Sequence, residues 1–383
     1  MRRSTDRILV SHAGTLPRPP ELGNAFDASV GVPANLANLV QAVVRRQAEI
    51  GVDIVNDGEY GKRGGFSNYV RERFSGIERH GAPPGHQSHD VMARDRRDFP
   101  GFHENFGWFG TAASANALTQ VNQPEFCTGA IAYTGQAAIQ RDISNLQAAL
   151  QGLDVDGYYP AITPGTIEHW LWNEHYPSEE AFLFAIADAL HEEYKAITDA
   201  GLVLQLDDPD LPDGWQMDPA MSVADYRAYA QLRVEALNQA LRDIPQEQIR
   251  LHVCWGSGHG PHKNDIDLRH IVDIVLSVKA ECYSVEAANP RHEHDLHVWE
   301  EVKLPPGKSL MPGVVTHCTD IIEHPRLVAD RLIGYAKLVG RENVIAGTDC
   351  GLGGRVGHPE IAWAKLEAMV EGARLASNEL WGR

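Results

Sequence analysis

Four side chains suited to a soft divalent metal stand at the ends of apolar runs: His252 and Cys254 in LHVCWG, Glu286 in YSVEAAN and Cys350 in AGTDCG. Two residues apart on a strand, His252 and Cys254 point to the same face. An imidazole, a carboxylate and two thiolates form a good tetrahedral set for zinc. Structural zinc more often sits in tight C-x-x-C knuckles. Ligands spread from residue 252 to residue 350 and joined only by the fold look catalytic instead. Taken singly each residue reads more simply: a lone buried cysteine is usually an inert small hydrophobe, and a lone histidine is more often hydrogen-bonded than ligating. The weight lies in their joint placement.

Other groups carry less. His292, His294 and His297 in PRHEHDLH, and His259 and His262 in GHGPHK, could coordinate a metal but read as a solvated polar face. His259 and His262 are close enough to Cys254 in sequence to compete with it as ligands. Cys127 and Cys282 read as core packing, and Cys318, beside His317, as an unreactive thiol.

The elements that must position these residues alternate. Strand-like runs are ILVSH (8–12), DIVND (53–57), YYPAI (158–162), LVLQLD (202–207), RLHVC (250–254), YSVEA (283–287), SLMPGVV (309–315) and NVIAG (343–347). Several are nearly continuous apolar runs, as expected of parallel strands buried on both faces. Between them lie amphipathic patterns, among them NLANLVQAVVRRQAEIG, SEEAFLFAIADALHEEYKAITDAG, LRHIVDIVLSVKA and HPEIAWAKLEAMVEGARLAS. Ser178 before Glu179 and Glu180 is an N-cap signal, and Gly51, Gly201 and Gly340 fall just past helices. Eight such βα units predict one (β/α)₈ TIM barrel over residues 1–383, with a doubly wound sheet as the alternative. The turn HAGTLPRPP after the first strand is not a G-x-G-x-x-G phosphate turn, which weighs against that alternative. One stretch breaks the rhythm: a long insertion after the second strand, about residues 63–155, rich in Gly and aromatics. It reads as a lid or substrate-binding element, or else as an oligomer contact.

Composition narrows the partners. The 383 residues carry a formal net charge of −18, with a sequence pI of 5.4. Such a surface repels phosphate backbones and anionic lipid, so neither nucleic acid nor membrane is an expected partner; small molecules are, and a homo-oligomer is allowed. No apolar run reaches membrane-span length, and MRRSTDRILVSHAG lacks the apolar core of a signal peptide, so a cytoplasmic protein is expected. Five scattered cysteines in a reducing compartment favour thiols or metal ligands over disulfides.

In chain order the strand ends carry AGTLP, NDGEYGK, QLDDPD, HVC, SVEAAN, VVTHCT and TDCGLGGR. Together they resemble the catalytic barrel of cobalamin-independent methionine synthase over nearly the whole chain. The resemblance implies zinc held by His252, Cys254, Glu286 and Cys350. It implies that Thr15 lines the thiol substrate, that Glu59 and the pair Asp207 and Asp208 hold its amino group, and that His317 delivers a proton to the leaving group. Bound zinc deprotonates a thiol, and two cysteine ligands keep the bound sulfur nucleophilic. The expected activity is therefore zinc-dependent S-alkyl transfer, methyl in particular, from a small-molecule alkyl donor to a homocysteine-like thiol. The alternative keeps the metal and thiol but uses an epoxide or other non-folate electrophile with a small sulfonated thiol, for which Arg18 or Arg355 would supply the positive charge. The pair Asp207-Asp208 departs from the family's usual Asp-Glu, and a second, N-terminal barrel and a lysine cluster for folate polyglutamate are both missing from the pattern.

Overall fold

A computed structural model describes residues 1–23, 31–62, 65–81, 90–105, 124–256 and 258–382. All eight expected strands are present: β1 Leu9–Val10, β2 Ile54–Val55, β3 Asp156–Ile162, β4 Val203–Asp207, β5 Ile249–Val253, β6 Cys282–Val285, β7 Ser309–Val315 and β8 Ile345–Thr348. They form one parallel sheet in the order β1-β8-β7-β6-β5-β4-β3-β2. The two outer strands meet, because Asp53 N donates to Val10 O at 2.9 Å and Ser11 Oγ to Ile54 O at 2.8 Å. The sheet is thus a nearly closed TIM-like barrel. Every residue of β4, β5, β6 and β7 is buried, which explains why these strands read as apolar runs rather than alternating ones.

The outer helices follow the sequence pattern: α1 Leu36–Ile50, α2 Gln136–Leu150, α3 Glu179–Asp199, α4 Val223–Ala240, α5 Pro325–Val339 and α6 Pro359–Trp381. Ser178 caps α3, its Oγ accepting from Ala181 N at 3.1 Å. Gly51 ends α1 at φ 99°, a conformation costly for any side chain. Among the described residues no helix is long and apolar enough to cross a membrane.

One expectation is corrected. The 268–280 pattern makes only a 3₁₀ turn, Leu268–His270, and one α-turn, Val272–Val275. Its β-branched Ile271, Val272, Ile274, Val275 and Val278 are buried but poor helix formers, so burial there does not need a long helix. Within the 63–155 stretch, α2 packs on α1 and α3. What remains adds a three-stranded sheet, in which Ile77–Arg79 pairs antiparallel with Glu125–Cys127, itself parallel to Leu171–Asn173. It also adds the helix Ala93–Asp98, clamped to the rim by Arg94, whose guanidinium donates to Trp215 O, Asp218 O and Met221 O and stacks on the Trp215 ring. Much of GAPPGHQSH and NFGWFG lies outside the described residues.

Candidate metal centre

Strand register sets the site. In the parallel β4–β5–β6 ladder Asp207 stands beside His252, and His252 beside Ser284, so these three side chains line the barrel interior at one level. Cys254 follows β5, and Cys350 lies two residues past β8. Their ligand atoms and that of His252 all lie within 4.8 Å of one another, and all three residues are buried.

The chemistry of this trio fits a thiophilic metal. His252 Nδ1 pairs with Ser284 Oγ at 3.0 Å, which fixes the ring and leaves Nε2 buried without a hydrogen-bond partner. A buried imidazole nitrogen without a partner is costly unless something occupies it. Cys350 is held well below the ordinary thiol range by its hydrogen bond from Cys254, against the opposing effect of burial, and with help from the nearby Arg355 guanidinium. The same contact, with burial, pushes Cys254 well above that range. The pair therefore shares one proton, which a metal would displace.

Glu286 is not part of this tight trio. Its Oε1 accepts from Trp255 N at 3.0 Å and its Oε2 from Asn289 Nδ2 at 2.8 Å. It lies close enough to both thiols to influence their charge, and burial together with Asp349 raises it to about 7. Asp349, next to Cys350, braces the loop by accepting from Ala287 N and Ala288 N at 2.7 and 2.8 Å. The sequence reading missed Ser284, Asn289 and Asp349 as supports. Their signal was position, since each lies within three residues of a ligand candidate.

The remaining predicted site residues divide. Asp207 is buried, its carboxylate raised to about 7 by burial, with His252 pulling the other way. Thr15 N and Arg355 Nη1 lie 2.7 and 3.2 Å from the point where a Cβ on Gly351 would sit, so the first βα turn packs against the loop of Cys350. Glu59 takes a left-handed φ of 60°, rare outside glycine, and its carboxylate fills the space that a Gly14 side chain would need. Asp208 faces elsewhere: Oδ1 accepts from Leu211 N at 3.3 Å, and the group sits near Asp210, which with burial raises it to about 8. That contact lies at the start of the helix Asp210–Met217. His317 is 1% exposed, driven by burial to about 3 and so neutral, with Nδ1 unpartnered and the Cys350 charge pushing it back up. Arg18 donates to the carbonyls of Glu59, Tyr60 and Lys62 and holds that loop.

The polar loop histidines are not uniformly solvated as expected. His294 and His297 are exposed, but His292 is buried, with Nε2 and Nδ1 each 3.1 Å from Asp265 and Asp295. His262 pairs with Asp265 at 2.8 Å. Burial lowers both histidines, yet the hydrogen bonds to these aspartates prevail, holding His262 at about 10 and His292 at about 9. A histidine raised on folding stabilises fully below its unfolded value near 6.5, and that contribution fades as pH rises through the folded value. The thermal midpoint is therefore expected to fall between pH 7 and pH 10, with a flatter profile from a lower start in His292→Gln. A pH-independent wild-type midpoint over that range would contradict the pairing.

The chain is similar to known proteins. The cobalamin-independent synthase catalytic-domain family matches residues 161–375, more than half of the chain and including His252, Cys254, Glu286, His317 and Cys350. Thr15 and Glu59 lie outside that match. Methionine synthases of Thermococcus kodakarensis and Pyrococcus abyssi are 27% and 26% identical over 222 and 227 residues. Each alignment covers 58% of this chain and 57% of the relative, so the chain spans little more than half the length of these relatives. A B12-independent methionine synthase from Shewanella sp. W3-18-1, solved with selenomethionine, superposes with a TM-score of 0.73 at 20% identity, covering 98% of this chain and all of that one. A putative B12-independent methionine synthase from Listeria monocytogenes gives 0.64 at 17% identity, with the same coverage, and both likenesses speak to the fold. On the family match, and with a His-Cys-Cys cluster at the mouth of the barrel, the chain belongs to the cobalamin-independent methionine synthase catalytic-domain family.

Proposed function

We propose that the chain is a zinc-dependent S-methyltransferase with a homocysteine-like thiol as acceptor. The observation that carries this reading is the buried trio His252, Cys254 and Cys350, with an unpartnered imidazole nitrogen facing a thiol pair that shares a proton. Zinc held there, with Glu286 as the fourth ligand the sequence motif implies, would deprotonate an incoming thiol and keep its sulfur nucleophilic. Around that point the chain supplies orientation. Glu59 and Asp207 bring two carboxylates to the mouth and suit an ammonium group, with Thr15 beside them. His317, a neutral ring with a free nitrogen next to Cys350, is suited to move a proton to the departing group. Val91, Met92 and Asp95 of the insertion pack at the rim against Trp255 and His262, so this segment borders the loop that follows Cys254.

Arg355 favours a second reading, because its guanidinium stands near both thiols and would also suit a sulfonated thiol attacking an epoxide or other non-folate electrophile. Calorimetric titration of the zinc-loaded protein with homocysteine and with coenzyme M separates the two. Homocysteine is expected to bind at least about tenfold tighter, with proton release. Tighter binding of coenzyme M would replace the first reading with the second.

A further inference from the structure

Beneath the candidate metal centre, the barrel holds a fully buried guanidinium with no carboxylate among its hydrogen-bond partners. Arg250 lies two residues before His252 on the same inward face, is 0% exposed, and stacks 4.0 Å over the Tyr158 ring. It donates from Nε to Gln205 Oε1 at 2.8 Å, from Nη2 to the same oxygen, from Nη1 to Ser11 Oγ at 2.8 Å and from Nη2 to His12 O at 3.2 Å. A buried arginine is expensive, and a packing role alone would be met by an apolar side chain.

The register shows what the charge can do. Arg250 and Gln205 are neighbours in the β4–β5 ladder, and two residues further along so are His252 and Asp207. Arginine offers only donors, so the Gln205 amide must turn its oxygen toward Arg250. Its NH₂ then faces two acceptors, Asp207 Oδ1 at 2.7 Å and Ala13 O at 2.6 Å. Either flip of that amide would set like against like on both sides, so its orientation is chemically determined. Gln205 is the residue that hydrogen-bonds the Asp207 carboxylate among the described residues. Through Ala13 it also ties in the turn that carries Thr15.

We infer that Arg250 and Gln205 are a positioning pair: the guanidinium locks the amide, and the amide aims the Asp207 carboxylate at the ammonium group of the thiol substrate. This rests on the reading of Asp207 as an ammonium-binding group. Neither residue touches the substrate, so their loss should affect recognition of the amine and leave the sulfur's affinity alone.

The test uses homocysteine and 4-mercaptobutanoate, the same thiol without the amine, titrated calorimetrically into zinc-loaded protein. Wild type should prefer homocysteine. Gln205→Glu keeps an acceptor for Arg250, and so keeps the packing, but has no N–H for Asp207. It should weaken homocysteine binding about tenfold or more and leave 4-mercaptobutanoate within about twofold. Arg250→Met should behave likewise, and Arg250→Lys, which still donates to Gln205, should restore most of the preference. Full zinc content in each variant serves as the check on folding. Equal weakening of both thiols, or an unchanged preference in Gln205→Glu and Arg250→Met, would overturn the positioning role alone. Equal binding of both thiols by wild type would overturn the ammonium reading of Asp207 and this inference with it.

Discussion

Replacing Cys350 with serine is expected to leave a folded barrel that no longer holds zinc. Zinc sites of this kind bind with about 10–16 kcal/mol, so each of four ligands carries roughly 3 kcal/mol, or about two decades of affinity. Cys350 should carry at least that share. Its thiol lies within 4.8 Å of the ligand atoms of His252 and Cys254, and the Arg355 guanidinium stands near it. After dialysis against a mild chelator, wild type should retain about one equivalent and Cys350→Ser under about a tenth, with an unchanged far-UV circular dichroism spectrum. Alkyl transfer should fall about a thousandfold with the metal. Retention of a full equivalent by the variant would remove Cys350 from the ligand set.

The second large effect is expected at His317. General acid–base catalysis by a positioned group contributes about 10²- to 10⁴-fold. His317→Gln keeps a similar size, so the packing against Cys318 and His259 should survive. The variant should bind zinc and thiol as wild type does and lose about a hundredfold in kcat. The sign of its pH dependence follows from its burial. Held at about 3, the ring is neutral throughout the physiological range, so its free nitrogen must first take up the proton that the incoming thiol releases and then pass it to the leaving group. An unchanged kcat in His317→Gln would mean that solvent carries that proton instead.

The sequence made the site legible where chemistry coincides with strand periodicity. His252 and Cys254 share a face because the strand repeat is two, and Cys350 follows its strand closely enough to be placed at the same mouth. The eight strands were legible because barrel strands are buried on both sides and leave continuous apolar runs. What escaped were side chains whose partners are distant in sequence. Gln205 in LVLQLD and Arg250 in RLHVC look like lone polar interruptions of apolar strands until the ladder sets them side by side. His292 in PRHEHDLH is indistinguishable by composition from exposed His294 and His297, and only the fold buries it between Asp265 and Asp295. Asp207 and Asp208 are adjacent in sequence, yet one stands beside His252 and the other accepts from Leu211 N past the end of β4.

The most direct test of thiol activation at this centre is zinc-edge X-ray absorption on the loaded protein, before and after addition of homocysteine. With Cys254 and Cys350 as ligands, two sulfurs should surround the metal at rest, and three once the thiol is bound. A sulfur count that stays at two while calorimetry reports saturated homocysteine binding would contradict it.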